Sequence, residues 1–470
     1  MVSDTAKQLP FLTWIRRLAA GFLIVSYLPL VWGVVHLGVV PGRYLVVALP
    51  LYGALLGLMV YALLAVKAMR KGIRLWLAVV VSVLLILANI AAYVVVRMAD
   101  NTLSNVQTTE ATYIEYVVIA RKDAAVQLAD APNVATVLSD PLYERAMQGL
   151  SRETGAEQHT RETLLEVAES VRASEVSLGA MRKASWQLLE ENYKDFYDEA
   201  TVLATFRVRA DDSDTIDVNV SKPFVLYISG IDTYGELSTV SRSDVNMLAV
   251  VNPESRDILL VNTPRDYYVQ LHGTYGTRDK LTHAGMYGVN MSRQTLQDVY
   301  GVNIPFYARI NFTSLVTLID VLGPIEVYSD YSFKNFSEGY NTLGSKEALE
   351  FARERYSFED GDRQRGRNQQ RVIEAIVAKL NQPQNAVRLQ SILNAVQNSI
   401  ETNMSEASLK QFVRMQLDEV QAWKVESISV DGTGDMQPTY SMGAQPLYVM
   451  QPDEHSLAEA RQRIANTLDR

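Results

Sequence analysis

Three long apolar runs open the chain, and none contains Asp, Glu, Lys or Arg. They cover Leu18–Val40, Tyr44–Val66 and Leu75–Val96. Each is long enough to cross a hydrocarbon core of about 30 Å as a helix. Basic residues precede the first run and fill the connection between the second and third, so the positive-inside rule predicts a cytoplasmic N-terminus. We therefore expect residues 1–99 to form a three-helix anchor in the cell membrane, with all later residues outside the cell.

The next stretch, residues 100–220, has shorter and more polar patterns. Tyr113–Ala120 alternates in part like a strand, whereas Thr160–Arg172 and Met181–Tyr197 have helical periodicity. The aromatic side of the second helix is typical of core packing. The acidic segment Ala210–Asp217 reads as a linker. We predict a small α+β accessory domain with no catalytic cluster.

Residues 221–470 alternate between strand and helix patterns, which predicts an α/β domain. The predicted strands are Phe224–Ile228, Val245–Val251, Ile258–Asn262, Phe306–Ile310, Ile325–Tyr328 and Val425–Val430. The predicted helices are Phe312–Leu322, Lys346–Arg355, Arg363–Leu380, Val387–Ile400, Glu406–Gln421 and Asp453–Leu468. Strands Val245–Val251 and Ile258–Asn262 are nearly all apolar, which indicates that both faces of the sheet are covered, as in a central mixed sheet flanked by helices.

Charged residues gather at the ends of these strands. The turn at 252–255 predicts a hairpin, so the start of its first strand and the end of its second share one edge. Arg242 and Asp244 precede the first strand, and Arg265 and Asp266 follow the second. Asp232 reaches the same edge if the strand before it runs antiparallel to the first hairpin strand. The sequence thus predicts a cluster of cations and anions at one rim of a buried sheet.

A second charged cluster lies in the arginine-rich segment 348–380. Asp362, Arg365 and Gln369 are spaced to share one helical face. Arginines in the first turns of a helix oppose its dipole, and a bound anion would reverse that penalty. A solvated helix face is the alternative reading. We interpret the segment as an anion site.

The amino-acid composition excludes several classes of functional site. The chain has 470 residues, a net charge of −9, no cysteine and five histidines. A global basic field for nucleic acid is therefore absent, and thiolate or zinc–thiolate chemistry is excluded. Aspartates without His or Cys suit Mg²⁺ or Mn²⁺, and arginines suit phosphate. Carboxylate, metal and arginine are the parts of phosphoryl-transfer sites. Outside the cell, the activated phosphoryl donors are lipid-linked diphosphates.

Three sequence blocks resemble the signatures of the LytR–CpsA–Psr (LCP) family. They read GIDTYGELSTVSRSDVNMLAVVNPESRDILLVNTPRDYYV, KLTHAGMYG and ALEFARERYSFEDGDRQRGRNQQRVI. The three spans and the accessory region are similar to the streptococcal capsule-type members, CpsA. The resemblance implies transfer of a glycopolymer, a capsular polysaccharide or related cell-wall polymer, from undecaprenyl diphosphate to peptidoglycan. It also implies a hydrophobic pocket for the lipid tail. Other capsule-assembly proteins are further candidate partners.

The resemblance also assigns roles to residues. Asp232 and Asp244 match magnesium-linked aspartates, and Arg242 and Arg265 match diphosphate-binding arginines. The remaining matched polar positions are Arg353, Arg355, Asp362, Arg365 and Gln369. Asp232, Asp244 and Asp362 are the candidates for the base that deprotonates a muramic acid hydroxyl.

Two features qualify this assignment. Residues two apart on a helix point in different directions, so Arg353 and Arg355 can reach one diphosphate only if the helix ends or bends there. Asp266 and Asp279 are interpreted as surface or turn residues, and His283 as a core or helix-capping residue.

Three alternatives stay open at this point. The chain could be a regulator of capsule or cell-wall synthesis that binds a polyprenyl diphosphate, although its short N-terminal tail holds no helix-turn-helix. It could be a polyprenyl diphosphatase that uses water instead of a sugar hydroxyl. It could also bind lipid without catalysis.

Overall fold

The structure is a computed structural model. It describes residues 4–65, 72–105, 113–209 (apart from 125, 139 and 141), 216–231, 241–358, 361–386, 392, 400–418 and 423–470. The chain forms two compact units. One combines Met1–Asn105 with Ala386–Asn394 and Glu406–Gln421, and the other holds the rest of the chain.

The elements are numbered in chain order. The helices are α1 Asp4–Leu37, α2 Gly42–Leu64, α3 Gly72–Asn105, α4 Tyr143–Glu153, α5 Leu164–Arg172, α6 Lys183–Asn192, α7 Lys194–Glu199, α8 Leu281–Ala284, α9 Val289–Tyr300, α10 Phe312–Leu322, α11 Ser345–Arg353, α12 Gly361–Leu380, α13 Pro383–Ala386, α14 Glu406–Asp418 and α15 Glu454–Leu468. The strands are β1 Tyr113–Arg121, β2 Asn133–Val137, β3 Glu157–Arg161, β4 Leu178–Arg182, β5 Ala200–Arg209, β6 Phe224–Ile231, β7 Ser243–Asn252, β8 Asp257–Thr263, β9 Tyr268–Val269, β10 Asp279–Lys280, β11 Phe306–Asn311, β12 Ile325–Ser329, β13 Gly339–Leu343, β14 Glu401–Thr402, β15 Lys424–Ser429, β16 Gly432–Thr439 and β17 Gly443–Pro452.

Helices α1, α2 and α3 confirm the three predicted spans. Each contains a segment of 23 to 29 residues long and apolar enough to cross a membrane. Asn89 in the third span donates a 3.0 Å hydrogen bond to Ser26 Oγ and accepts one of 2.7 Å from the Tyr52 hydroxyl. Its amide is therefore satisfied between helices, which is how polar groups are tolerated in a bilayer.

Helix α14 belongs to the same unit as the spans, a placement that the sequence did not predict. Val413 is buried with Leu37, Val39 and Ala99. Lys410 Nζ lies 2.7 Å from Asp100 Oδ1. The predicted helix Glu406–Gln421 is confirmed as far as Asp418, whereas most of the predicted helix Val387–Ile400 lies outside the described residues.

The accessory region is a five-stranded sheet in the order β3-β2-β4-β1-β5. The strand predicted over Tyr113–Ala120 is β1. The helix predicted from Thr160 is wrong in its first turn, because β3 runs to Arg161 and Thr163 caps α5 by accepting from the Glu166 N–H. The helix predicted over Met181–Tyr197 is also wrong, since it starts inside β4 and breaks at Tyr193 into α6 and α7.

The core of this region confirms the reading of the aromatic stripe. Trp186, Leu189 and Phe196 are buried with Leu188 and Val167 in one apolar cluster. Tyr193 and Tyr197 pack against it. These side chains stabilise the accessory fold.

The third region is built on a mixed six-stranded sheet in the order β14-β11-β6-β7-β8-β15. Strand β7 is antiparallel to both β6 and β8, which confirms the predicted hairpin and its neighbour. Strands β11 and β15 extend the sheet in parallel. Both faces are covered, as predicted, and every residue of β7 is buried. The fold class is α/β with a three-helix anchor; the domain boundaries at residues 99 and 220 stay predictions.

Local signals explain several of these elements. Asn311 and Ser314 form a capping box at the start of α10, and Gly323 follows its last residue. Asn252 Oδ1 accepts from the N–H groups of Glu254 and Ser255, which closes the turn between β7 and β8. The strands β5, β13, β16 and β17 had no sequence-based prediction.

Candidate active site

The rim of the sheet brings three of the predicted residues together. Asp244 is the second residue of β7, and Arg265 lies two residues beyond the end of β8. Arg265 Nη1 is 2.8 Å from Asp244 Oδ1. Arg365, on α12, places Nη2 3.8 Å from Asp244 Oδ2. The antiparallel register puts the flanks of both strands at one edge, and α12 adds the second cation.

Asp244 is held in its charged form. Burial acts to raise the pKa of this carboxyl, but the charges of Arg265, Arg365 and Arg242 outweigh burial, so the pKa is lowered. Thr282 Oγ1 also donates to Asp244 Oδ1 at 3.3 Å. Since only 8% of Asp244 is exposed, this charge is available to a ligand only through the cavity it lines.

A cavity of about 300 Å³ opens beside this cluster. Its wall includes Asp244, Thr263, Arg265, Asp266 and Arg367. Two of these residues are anions and two are cations. A phosphate bound here would meet guanidinium groups, and a hard cation would meet carboxylates.

Asp266 belongs to this cluster, at the rim where the predicted hairpin places it. Its role was interpreted as that of a surface partner or turn residue; it does lie in the turn after β8, but it is only 7% exposed and lines the cavity. Lys280 Nζ lies 2.5 Å from Asp266 Oδ1. Sequence reasoning missed Lys280 as a member of this cluster and left Asp266 out of the proposed site.

Asp279 and His283 form a buried pair. The surface reading of Asp279 is wrong, because this residue is fully buried. Its Oδ1 lies 2.6 Å from His283 Nδ1, and its Oδ2 accepts from the Ser441 N–H. Burial lowers the pKa of His283 despite the neighbouring Asp279. The core reading of His283 is confirmed.

Helix α11 ends before Arg355, which is the condition under which Arg353 and Arg355 can reach one diphosphate. Helix α11 ends at Arg353, and Glu354 is extended, with φ −69° and ψ 129°. Arg353, Arg355 and Arg365 consequently line one open cavity of about 680 Å³. Tyr356 lies on the same wall, and the Arg355 guanidinium carbon is 4.7 Å from its ring centroid.

Arg242 has a partner that the sequence did not suggest. Its Nη1 and Nη2 donate to Glu191 Oε2 and Oε1 at 2.5 and 2.6 Å. Glu191 is the ninth of ten residues in α6 of the accessory region. The accessory sequence therefore supplies a charged residue at the rim of the six-stranded sheet.

Three further residues predicted for the site are Asp232, Asp362 and Gln369, and the structure describes the side chain of Gln369 alone among them. Asp232 lies outside the described residues, although Ile231 before it pairs with Ser243 at the rim. Asp362 lies in α12, and its side chain is also outside the described part. Gln369 is buried and lines an apolar cavity of about 30 Å³ with Asp244, Val245, Phe312 and Ile373. A lipid chain would need this cavity to widen.

The residues present are compatible with a hard cation. Among the described side chains, no group of three His, Cys, Asp or Glu residues could hold a metal by itself. Mg²⁺ commonly uses only one or two carboxylates and takes its remaining ligands from phosphate and water. The ionised Asp244 on the cavity wall meets that requirement.

The chain combines an α/β domain, built on a mixed six-stranded sheet, with three helices that are long and apolar enough to span a membrane. The sequence profile of the LytR_cpsA_psr family matches residues 193–464. The chain belongs to this family.

Several proteins of known name are similar to it. The polyisoprenyl-teichoic acid–peptidoglycan teichoic acid transferase TagU of Enterococcus faecalis is 32% identical over 262 residues, which cover 54% of this chain and 82% of that protein. TagU of Bacillus subtilis is 27% identical over 261 residues, covering 54% and 81%. The crystal structure of B. subtilis TagV is 23% identical, with a TM-score of 0.45, and covers 53% of this chain and 98% of that one.

Proposed function

We propose that this protein transfers a glycopolymer from a polyprenyl diphosphate to peptidoglycan. The observation that carries the proposal is the ionised, buried Asp244 between Arg265 and Arg365 at the edge of a cavity. The E. faecalis and B. subtilis relatives are named as teichoic acid transferases, which supports the same reaction class. Undecaprenyl as the carrier and capsular polysaccharide as the polymer are the specific forms we propose.

The arginines hold the diphosphate. Arg265 and Arg365 approach Asp244 from β8 and α12, and Arg353 and Arg355 share the open cavity with Arg365. A planar guanidinium can bind two phosphate oxygens at once. Arg365 lines the open cavity and approaches Asp244, which lines the other cavity, so it links the two arginine clusters around one diphosphate.

We propose Asp244 and Asp232 as the protein ligands of Mg²⁺ or Mn²⁺. When bound, the cation would neutralise the charge that develops on the diphosphate oxygens. The lowered pKa of Asp244 suits this role, because the carboxylate stays ionised at neutral pH. The same low pKa makes Asp244 a weak base. Asp362 is therefore the proposed proton acceptor, and Asp232 is the alternative if it does not bind the cation.

The transfer step balances as a phosphoryl transfer. The proton acceptor removes the proton of a muramic acid hydroxyl in peptidoglycan. The hydroxyl oxygen forms a bond to the polymer-side phosphorus. The bond from that phosphorus to the bridging oxygen breaks, and undecaprenyl phosphate leaves with the electron pair. Arginines around the diphosphate stabilise the charge on the leaving group.

The anchor fits a reaction at the membrane surface. Three apolar helices are long enough to span, and we propose that the N-terminus is cytoplasmic and the catalytic region outside. The membrane then supplies the lipid carrier, and the cell wall supplies the acceptor. Other capsule-assembly proteins are proposed partners.

The test is a reconstituted transfer reaction. Purified full-length protein is mixed with a polyprenyl-diphosphate-linked glycopolymer and peptidoglycan, with Mg²⁺ or with excess chelator. We expect polymer on peptidoglycan and release of polyprenyl phosphate, both lost on chelation and restored by Mg²⁺.

Other outcomes separate the alternatives. Release of phosphate products without polymer on peptidoglycan would identify a diphosphatase. Binding of the lipid without turnover would favour a lipid-binding regulator. Transfer that survives complete chelation would contradict the metal assignment.

A further inference from the structure

Glu191 occupies the binding face of a predicted phosphate-binding arginine. Both terminal nitrogens of Arg242 donate to the two oxygens of this carboxylate, at 2.5 and 2.6 Å. Two oxygens of a phosphate would use the same paired donors. A phosphate and Glu191 therefore cannot both take this face of Arg242.

Glu191 belongs electrostatically to the site and not only to the accessory fold. Burial and the charge of Asp244 act to raise the pKa of Glu191, whereas Arg242 and Arg265 lower it by more. The net pKa is lowered, so the carboxylate is ionised at neutral pH. Its influence reaches the same residues that form the proposed diphosphate site.

The carboxylate is also placed where it can be released. The Glu191 side chain is 51% exposed, and the Arg242 side chain is 23% exposed. Glu191 lies in the last turn of α6, where a negative charge opposes the helix dipole. The pair is bidentate, which strengthens it, but solvent around the half-exposed Glu191 screens its charge. A diphosphate, which carries more negative charge, can replace it.

We propose that Glu191 is a carboxylate latch that holds Arg242 in the substrate-free protein and is displaced when the diphosphate of the lipid substrate binds. This inference rests on the proposed function, because it takes a polyprenyl diphosphate as the ligand. The accessory region thereby competes for the substrate-binding arginine. Substrate binding frees Glu191 and uncouples the end of α6 from the sheet rim.

The test measures the affinity for farnesyl diphosphate by calorimetry, using the full-length protein in detergent with Mg²⁺. Glu191→Gln and Glu191→Ala should each bind about two- to fivefold more tightly than the unaltered protein, because the competitor is gone. Glu190→Gln is the matched control. It removes a neighbouring exposed carboxylate from the same helix end and should leave the affinity unchanged.

A second background tests the mechanism. In an Arg242→Ala protein, most of the gain in affinity from Glu191→Gln should disappear, since the residue for which Glu191 competes is absent and only its charge near Arg265 and Asp244 is lost. Equal or weaker binding by both Glu191 variants in the unaltered background would overturn the latch. A gain of the same size without Arg242 would also overturn it.

The proposed function can fail separately. If the unaltered protein and an Arg265→Ala variant bind farnesyl diphosphate equally weakly, the diphosphate site itself is wrong, and the latch falls with it. If the unaltered protein binds and Arg265→Ala does not, the diphosphate site stands. The affinities of the Glu191 variants then test the latch separately from the diphosphate site.

Discussion

Arg265 Nη1 lies 2.8 Å from Asp244 Oδ1, and this ion pair joins the chain after β8 to the beginning of β7. The two residues are 21 positions apart, from 244 to 265, yet the antiparallel hairpin brings them to one edge. Arg365 approaches the other oxygen of the same carboxylate from α12. Asp244 is therefore the point at which the hairpin and the arginine-rich helix meet.

Replacing Asp244 with asparagine should reduce polymer transfer about a hundredfold or more. The change removes the charge that is proposed to hold a cation and that pairs with two arginines, while it preserves the size of the side chain. The measurement is the initial rate of polymer transfer, with thermal unfolding as the check on folding. Asp320→Asn, an exposed carboxylate on α10, is the control and should retain full activity. Full activity of Asp244→Asn would remove the central residue of the proposed site.

Gly285→Ala should reduce the transfer rate about tenfold or more. A Cβ at this position would lie 2.6 Å from the Ser243 nitrogen and 2.7 Å from the Ser241 oxygen, so the backbone beside Asp244 must shift. A displacement of about 1 Å can cost roughly a hundredfold in rate. The transfer assay checks this. Gly155→Ala, which meets no atom within 4 Å, is the control. Unchanged activity in Gly285→Ala would show that the rim tolerates the shift.

Arg355→Ala should weaken the binding of farnesyl diphosphate about tenfold. Arg355 lines the open cavity with Arg353 and Arg365, and a charge-assisted hydrogen bond to phosphate is lost. Calorimetric titration measures the change. Arg278→Ala removes an exposed arginine outside this cavity and should have little effect. Equal losses in both variants would indicate a general charge effect instead of a specific contact.

Asp140→Asn should lower the free energy of unfolding by about 3 kcal/mol. Asp140 pairs with Arg182, whose side chain is 2% exposed, at 2.5 Å. Removing one partner leaves a buried charge without compensation. Arg182 also donates to the Met286 oxygen at 2.8 Å, so the pair supports the turn before α9. Chemical denaturation measures the change, with exposed Asp195→Asn as the control. An effect no larger than that of the control would refute the buried-pair argument.

The contribution of Asp140 to the free energy of unfolding should depend on pH. Burial acts to raise the pKa of Asp140, but Arg182 outweighs it and the pKa is lowered. Unfolding restores an ordinary pKa of about 3.9. The unfolded state therefore takes up the proton first, and stability falls as the pH drops below about 5 towards the folded-state pKa. The stability difference between the unaltered protein and Asp140→Asn should be constant above about pH 5 and shrink below it. A constant difference down to pH 3 would contradict the assignment.

Much of the fold was accessible from local patterns. The three spans, the β7–β8 hairpin and α10 with its caps all depend on residues close together in the chain. Apolar length decides a span, turn residues decide a hairpin, and capping residues decide helix ends. The same local logic located Asp244 and Arg265, because a hairpin fixes which of its flanking residues are neighbours.

The misses have two causes. The helices predicted from Thr160 and from Met181 begin too early, because β3 pairs with β2 as far as Arg161 and β4 pairs with β1 as far as Arg182. Nothing in the local sequence showed that Asp266 and Asp279 would be buried. Lys280 was overlooked for the same reason.

The sequence by itself determined the membrane-spanning helices, the α/β class and the set of acids and arginines. Periodicity and charge are properties of neighbouring residues and need no partner to be recognised. Only the tertiary structure decided that α11 ends at Arg353, that α14 joins the spanning helices, and that Glu191 meets Arg242 across 51 positions. These outcomes depend on which distant surfaces bury each other, and no local pattern contains that choice.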